Sequence, residues 1–98
     1  MHARLSRFAG LDGERIDATV QQFEEEALAS LEQQPGFRGL TVGVDYKSGK
    51  AFAIALWESQ ADMSRSEEVA AEARERAVAT MGPMRTPIVD HYEVVVHR

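Results

Sequence analysis

The stretch LTVGVDYKSGKAFAIALWE, residues 40–58, reads as two apolar strands joined by a tight turn. A turn centred on Lys47-Ser48-Gly49, with Tyr46 facing Lys50, puts Leu40, Val42, Val44, Phe52, Ile54 and Leu56 on one face. Thr41, Gly43, Ala51, Ala53, Ala55 and Trp57 then fall on the other. Neither face is polar, although an antiparallel sheet with one wet side alternates apolar and polar residues. Each side therefore needs a cover. The chain supplies about two helices, enough for one face, and a second copy of the same sheet is the most economical cover for the other, so the pattern predicts a homodimer.

Outward from this hairpin, residues 3–8 predict a short strand. Asp12 is a suitable N-cap, and Leu11 with Ile16 occupies the positions of a hydrophobic staple, so a first helix should begin at Gly13. Ile16, Val20, Phe23, Ala27 and Leu31 recur at helical spacing and carry that helix to about Gln34, with Glu24, Glu25 and Glu26 on its solvated side. Pro35-Gly36 breaks it. After Trp57-Glu58, two capping sequences in succession, Ser59 to Asp62 and Ser64 to Glu67, predict a short helical turn and then a long helix. Gly82-Pro83 should end the long helix, and Pro87 opens a last strand over Ile88 to His97. The order βαββαβ is that of a ferredoxin-like α+β sandwich, one domain over residues 1–98, with both helices on one side of a four-stranded antiparallel sheet.

Eleven Lys and Arg against sixteen Asp and Glu give a net charge of -5, the wrong sign for tracking phosphates, so nucleic acid is not an expected partner. The absence of cysteine removes disulfides, thiol nucleophiles and thiolate metal sites, and agrees with a cytoplasmic setting. The N-terminus has no apolar signal core, and no run approaches the ~20 residues of a membrane span.

Pro35-Gly36-Phe37-Arg38-Gly39, the strand ending Leu56-Trp57-Glu58-Ser59, the helix after Ser66-Glu67 and the closing Tyr92-Glu93-Val94 resemble the small dimeric α+β barrel proteins of the antibiotic biosynthesis monooxygenase type. The resemblance spans essentially the whole chain. It implies two sheets facing each other in a dimer, a ligand between each sheet and its own helices, and an activity such as cofactor-free oxygenation of aromatic polyketide phenols or haem degradation. The chain departs from the family at two points. It has no asparagine, so the asparagine that activates substrate in some members is missing; and an ungapped alignment from Trp57 puts Ser66 and Arg76 where the haem degraders have a tryptophan and a histidine.

Trp57 ends its strand beside Ala51, Ala53 and Ala55, and small residues opposite a helix leave volume for a flat aromatic ligand, unless Phe23, Ile16 and the second helix fill it. Arg74 lies among Ala70, Ala77, Val78 and Met81 on a helical wheel, with Glu68, Glu72, Glu75 and Arg76 opposite. A guanidinium starting from a buried stripe must find Glu67, Glu93, water or a ligand anion. His91 and Glu93 share one face of the last strand; His91 is a candidate base for a phenol, or both are polar guards of an edge strand. His91-x-Glu93 alone is too few ligands for a metal site. No phosphate-binding loop or serine-nucleophile motif is present. The reading is a homodimer that binds a small aromatic molecule without cofactor or metal, with His91 and Arg74 as catalytic candidates and Trp57, Phe23, Tyr92 and Glu93 as substrate contacts; the alternative is a non-catalytic binding or sensor domain of the same fold.

Overall fold

The computed structural model describes residues 1–81 and 86–98, with Thr80 and Met81 described by backbone alone. Four strands, β1 (His2–Phe8), β2 (Phe37–Asp45), β3 (Lys50–Trp57) and β4 (Ile88–Glu93), form one antiparallel sheet in the order β2-β3-β1-β4. The helices α1 (Gly13–Glu26), α2 (Leu28–Glu32), α3 (Gln60–Arg65) and α4 (Glu67–Met81) connect them. This is the α+β ferredoxin-like architecture expected from the pattern. Among the described residues no helix is long and apolar enough to cross a membrane.

Two of the expected caps, Asp12 and Ser59, form, whereas Ser64 of the second capping sequence lies inside α3 and α4 begins only at Glu67. Asp12 accepts a hydrogen bond from the Glu14 amide, and Leu11 and Ile16 pack together in one core cluster with Phe8, Val20, Val44, Ala51 and Ala77. Ser59 caps α3 by accepting from the Asp62 amide. The single helix expected from Gly13 to Gln34 is instead divided at Ala27 (φ -105°) into α1 and α2. Ala27 and Leu31 are both buried, so the apolar spacing runs through the division and conceals it. The expected helix stop at Gly82-Pro83 lies outside the described residues. The last strand ends at Glu93 rather than His97, because Glu93 already pairs with His2 and only the Val94 amide finds a further acceptor, the Met1 carbonyl at 2.8 Å.

The hairpin register differs by one residue from the expected one. Asp45, not Tyr46, stands opposite Lys50. The Asp45 carboxylate accepts from the amides of Lys47 (3.0 Å) and Ser48 (3.4 Å), and its carbonyl accepts from Gly49, whose φ of +67° closes the turn. The side chain thereby fixes a four-residue loop, Tyr46 to Gly49, where the sequence reading allowed three. A shift of one residue exchanges faces for one strand relative to the other. Leu40, Val42 and Val44 therefore share a face with Ala51, Ala53 and Ala55, and the other face takes Thr41, Gly43, Phe52, Ile54 and Leu56. Gly43 is off the alanine face where it was expected, and a Cβ there would collide with the Phe52 ring lying across it. Both faces remain apolar.

Helices cover only the alanine side. The other side adds Ala3, Leu5 and Arg7 of β1 and Ile88, Asp90 and Tyr92 of β4, with Arg7 and Asp90 paired to each other at 3.1 Å. Ile88 and Tyr92 are about half exposed, at 54% and 52%, so this face is an open, mainly apolar surface of the single chain, crossed by one ion pair.

Candidate functional site

Facing rows of small side chains hold the helices off the sheet. Ala51, Ala53 and Ala55 on β3 and Ser6 on β1 oppose Ala70, Ala73 and Ala77 on α4, and between them lies a cavity of about 710 Å³. Phe23 and Leu31 from the first helices, and Leu40, Val42 and Val44 from β2, complete its apolar wall. This volume is in the range of small-molecule sites, and a mostly apolar wall suits an aromatic ligand.

Two arginines interrupt that wall. Alternation along β1 points Arg4 to the helix side, opposite Ala55 and His91, where its side chain is 2% exposed. The chain breaks between α3 and α4 at Ser66, and the Met63 carbonyl at the end of α3, which accepts from the Ser66 hydroxyl, also accepts from Arg4 Nη2 at 2.7 Å. Arg4 Nη2 also donates to Ser66 Oγ (3.0 Å), and Nε donates to Glu67 Oε2 (3.0 Å). Glu67 starts α4, where the positive end of the helix favours a carboxylate. Its other oxygen accepts from Arg74 Nη2 at 3.2 Å. Arg4 and Arg74 both border the cavity, and among the described residues each keeps a buried Nη1 with no partner. One carboxylate thus serves two guanidinium groups, leaving one positive charge in excess.

The electrostatics follow from burial. Desolvation pulls the Arg4 guanidinium below its ordinary value against the opposing pull of Glu67, yet an arginine stays protonated. Burial pushes the Glu67 carboxyl up, but the charge of Arg4 and the hydrogen bonds from Arg74, His91 and Arg4 outweigh it and hold the group below its ordinary value of 4.5. A carboxyl depressed in the folded state contributes stability above its unfolded value and loses that contribution as pH falls through the folded value. Thermal melts should therefore show an acid decline beginning near pH 4.5 that is shallower in Glu67→Gln; superimposable acid limbs would exclude Glu67 as its source.

Of the residues expected from the sequence, Arg74 and Phe23 border the cavity. Arg74 finds one of the partners foreseen for it, Glu67. The other four do not border it. Trp57 shares a face with the alanines, but it is completely buried at the strand end, packed edge-on against Phe37 with ring centroids 5.5 Å apart and under the Arg4 guanidinium at 5.7 Å. It is core behind the site, because Leu31, Met63 and Ala70 close over it. Tyr92 pairs with Ala3 and so takes the open face of the sheet, away from the cavity. His91 and Glu93 are on the helix side but on an edge strand beyond the helices' cover; both are exposed, and the His91 ring lies 3.4 Å from Glu67 Oε2. His91 is thus linked to the arginines through Glu67 rather than to the cavity.

Sequence reasoning missed Arg4. In the alternation Ala3-Arg4-Leu5-Ser6, an arginine between apolar residues reads as solvent-facing; only the sheet's second apolar side, once credited to β1 as well, signals that Arg4 must be inside. Tyr46, also at the cavity, donates to Asp17 at 2.6 Å. That hydrogen bond and the carboxylate charge raise its pKa, keeping it a neutral phenol rather than a base.

No protein-family model matches the chain. Uncharacterised proteins from two strains of Mycobacterium tuberculosis are 29% identical over 86 residues, 87% of this chain; the chain spans 38% of the length of these curated relatives. Among solved structures, a monooxygenase of Streptomyces coelicolor in complex with nanaomycin D superposes with a TM-score of 0.79 at 18% identity, covering 99% of this chain and 89% of the other. SnoaB, a cofactor-independent oxygenase of Streptomyces nogalater, gives 0.67 at 17% identity over 98% and 94% of the two chains. A heme-degrader of Mycobacterium tuberculosis with two hemes in its active site gives 0.72 at 18% identity over 100% and 99%. The described residues here do not fit a haem. The cavity lining has no histidine, cysteine or methionine among them, and the Tyr46 hydroxyl is engaged by Asp17.

Proposed function

From a chain that carries the fold of the antibiotic biosynthesis monooxygenases, we infer a cofactor-independent monooxygenase acting on a small phenolic, polyketide-like aromatic molecule. The observation that carries this is the apolar cavity of about 710 Å³ with Arg74 and Arg4 set in its wall. In the reaction a substrate methylene loses a proton and the resulting delocalised anion passes an electron to O2; the radical pair joins as a hydroperoxide, which loses water to leave a carbonyl. The balance is CH2 + O2 → C=O + H2O, and it requires no external reductant. The guanidinium charge favours the anion, and a low-dielectric wall strengthens that effect. The proton leaves on the substrate's own acidity toward the cavity border, where Glu24 and Glu32 stand, since His91 does not reach it.

Oxygen uptake with a panel of anthrones, whose ring methylene is the reacting group, tests the reading. One O2 consumed per quinone formed, without added flavin, metal or reductant, is the expected result. The position of His91 outside the cavity favours a second reading, a binding domain without turnover; stabilisation by these aromatics with no oxygen uptake would select it.

The open face of the sheet belongs to the same reading as the surface on which a second copy packs. Obligate dimer interfaces bury more than about 2,000 Å² and are rich in apolar side chains, as this face is. Light scattering in dilute buffer should give twice the chain mass of 10.9 kDa, and Ile54→Glu, which places a charge in the middle of that face, should halve it. A wild-type monomer at micromolar concentration would refute the arrangement.

A further inference from the structure

We propose that Arg4 and Arg74 form an oxyanion subsite at one end of the cavity, specific for a singly charged aromatic oxyanion, with Glu67 as the residue that positions both. This rests on the reading of the cavity as an aromatic site and deepens it by naming the ligand's charge and where that charge sits.

Arg4 is 2% exposed and the Arg74 side chain 18% exposed, and a buried charge left without a counter-charge is among the most expensive features a small core can carry. Glu67 neutralises one guanidinium, not two. His91, the remaining titratable group against Glu67, does not supply a negative charge, and Glu24 and Glu32 at the cavity border are exposed to solvent and form no ion pair with either arginine. Each arginine also has a buried Nη1 without an acceptor among the described residues, and buried donors ordinarily have one. A ligand monoanion at this end of the cavity supplies both deficits together, the charge and the acceptors. A dianion would overshoot, and a neutral ligand would leave the excess charge in place.

Geometry restricts the ligand further. Planar guanidinium groups match planar oxyanions, while the alanine-lined remainder takes the ring system. Arene carboxylates and ionised phenols share this chemistry. Because Glu67 holds Arg4 through Oε2 and Arg74 through Oε1, it fixes the separation of the two cations and acts through them rather than on the ligand.

Calorimetry on the full chain at neutral pH with naphthoate, naphthamide and an acidic, fully ionised nitronaphthol tests the subsite. Both anions should bind at least about tenfold more tightly than the amide, the difference expected for a charge-assisted hydrogen bond. Whichever anion binds better identifies the source of the oxyanion, carboxylate or phenolate. In Arg74→Gln the amide should keep its affinity while the preference for anions falls about tenfold. Equal binding of amide and anions by the wild type would overturn the subsite and leave the aromatic cavity standing, and this comparison needs no variant to fold. Failure of all three to bind would remove the cavity reading, and the subsite with it.

Discussion

Trp57→Ala is expected to cost about 3–5 kcal/mol, the range for truncating a large buried aromatic. The residue is 0% exposed, holds Leu31, Ala55, Met63 and Ala70 around it, meets Phe37 edge to face and supports the Arg4 guanidinium. A chain of 98 residues has a total stability of about 5–15 kcal/mol, so the variant would lose a large share of it. Each kcal/mol moves Tm by about 4–8 °C in a domain of this size, which makes the drop visible in any thermal melt. Trp57→Phe separates core from ligand contact. It keeps part of the packing and loses stability, but because the ring does not border the cavity, it should leave affinity for naphthoate within about twofold. A large loss of affinity at unchanged stability would return Trp57 to the site.

Arg4 is expected to give opposite results with two substitutions. Arg4→Ala removes the hydrogen bonds to Met63, Ser66 and Glu67 and empties the space over the Trp57 ring, at a cost of about 2–4 kcal/mol. Arg4→Met fills much of that space with an unbranched apolar chain and removes a buried charge together with its unpartnered Nη1. Glu67 keeps Arg74 and His91, and the Met63 carbonyl keeps the Ser66 hydroxyl at 2.7 Å. Replacing a buried ion by a well-packed apolar side chain is often neutral or stabilising, so Arg4→Met should melt at or above the wild type. It should also lose selectivity for anions. That combination marks a residue held at the expense of stability; equal destabilisation in both variants would make Arg4 a structural pillar instead.

The sequence by itself determined the order of elements, the helix starts at Asp12 and Ser59, the small residues that open a cavity and the apolarity of both sides of the sheet. Each is a local property: a cap is satisfied within three residues, and the size of a side chain is the same wherever it lands. Arg74 was legible for the same reason, since the polar and apolar sides of one helix are separable by spacing alone. Tertiary structure decided what depended on partners distant in the chain. The hairpin register turned on one carboxylate, Asp45, which took an extra residue into the loop and exchanged the faces of β2 relative to β3. Trp57 became core because α2 and α3 close over the end of β3, and Tyr92 left the site because pairing with Ala3 fixed its side of the sheet. His91 stayed outside because β4 is an edge strand that the helices do not cover. Arg4 entered because β1 is central, so that a charge which alternation alone would send to water is buried between sheet and helices, sixty-odd residues from the Glu67 that holds it. The chemistry of this site is assembled from residues far apart in the chain, and contacts of that kind leave no periodicity in a sequence.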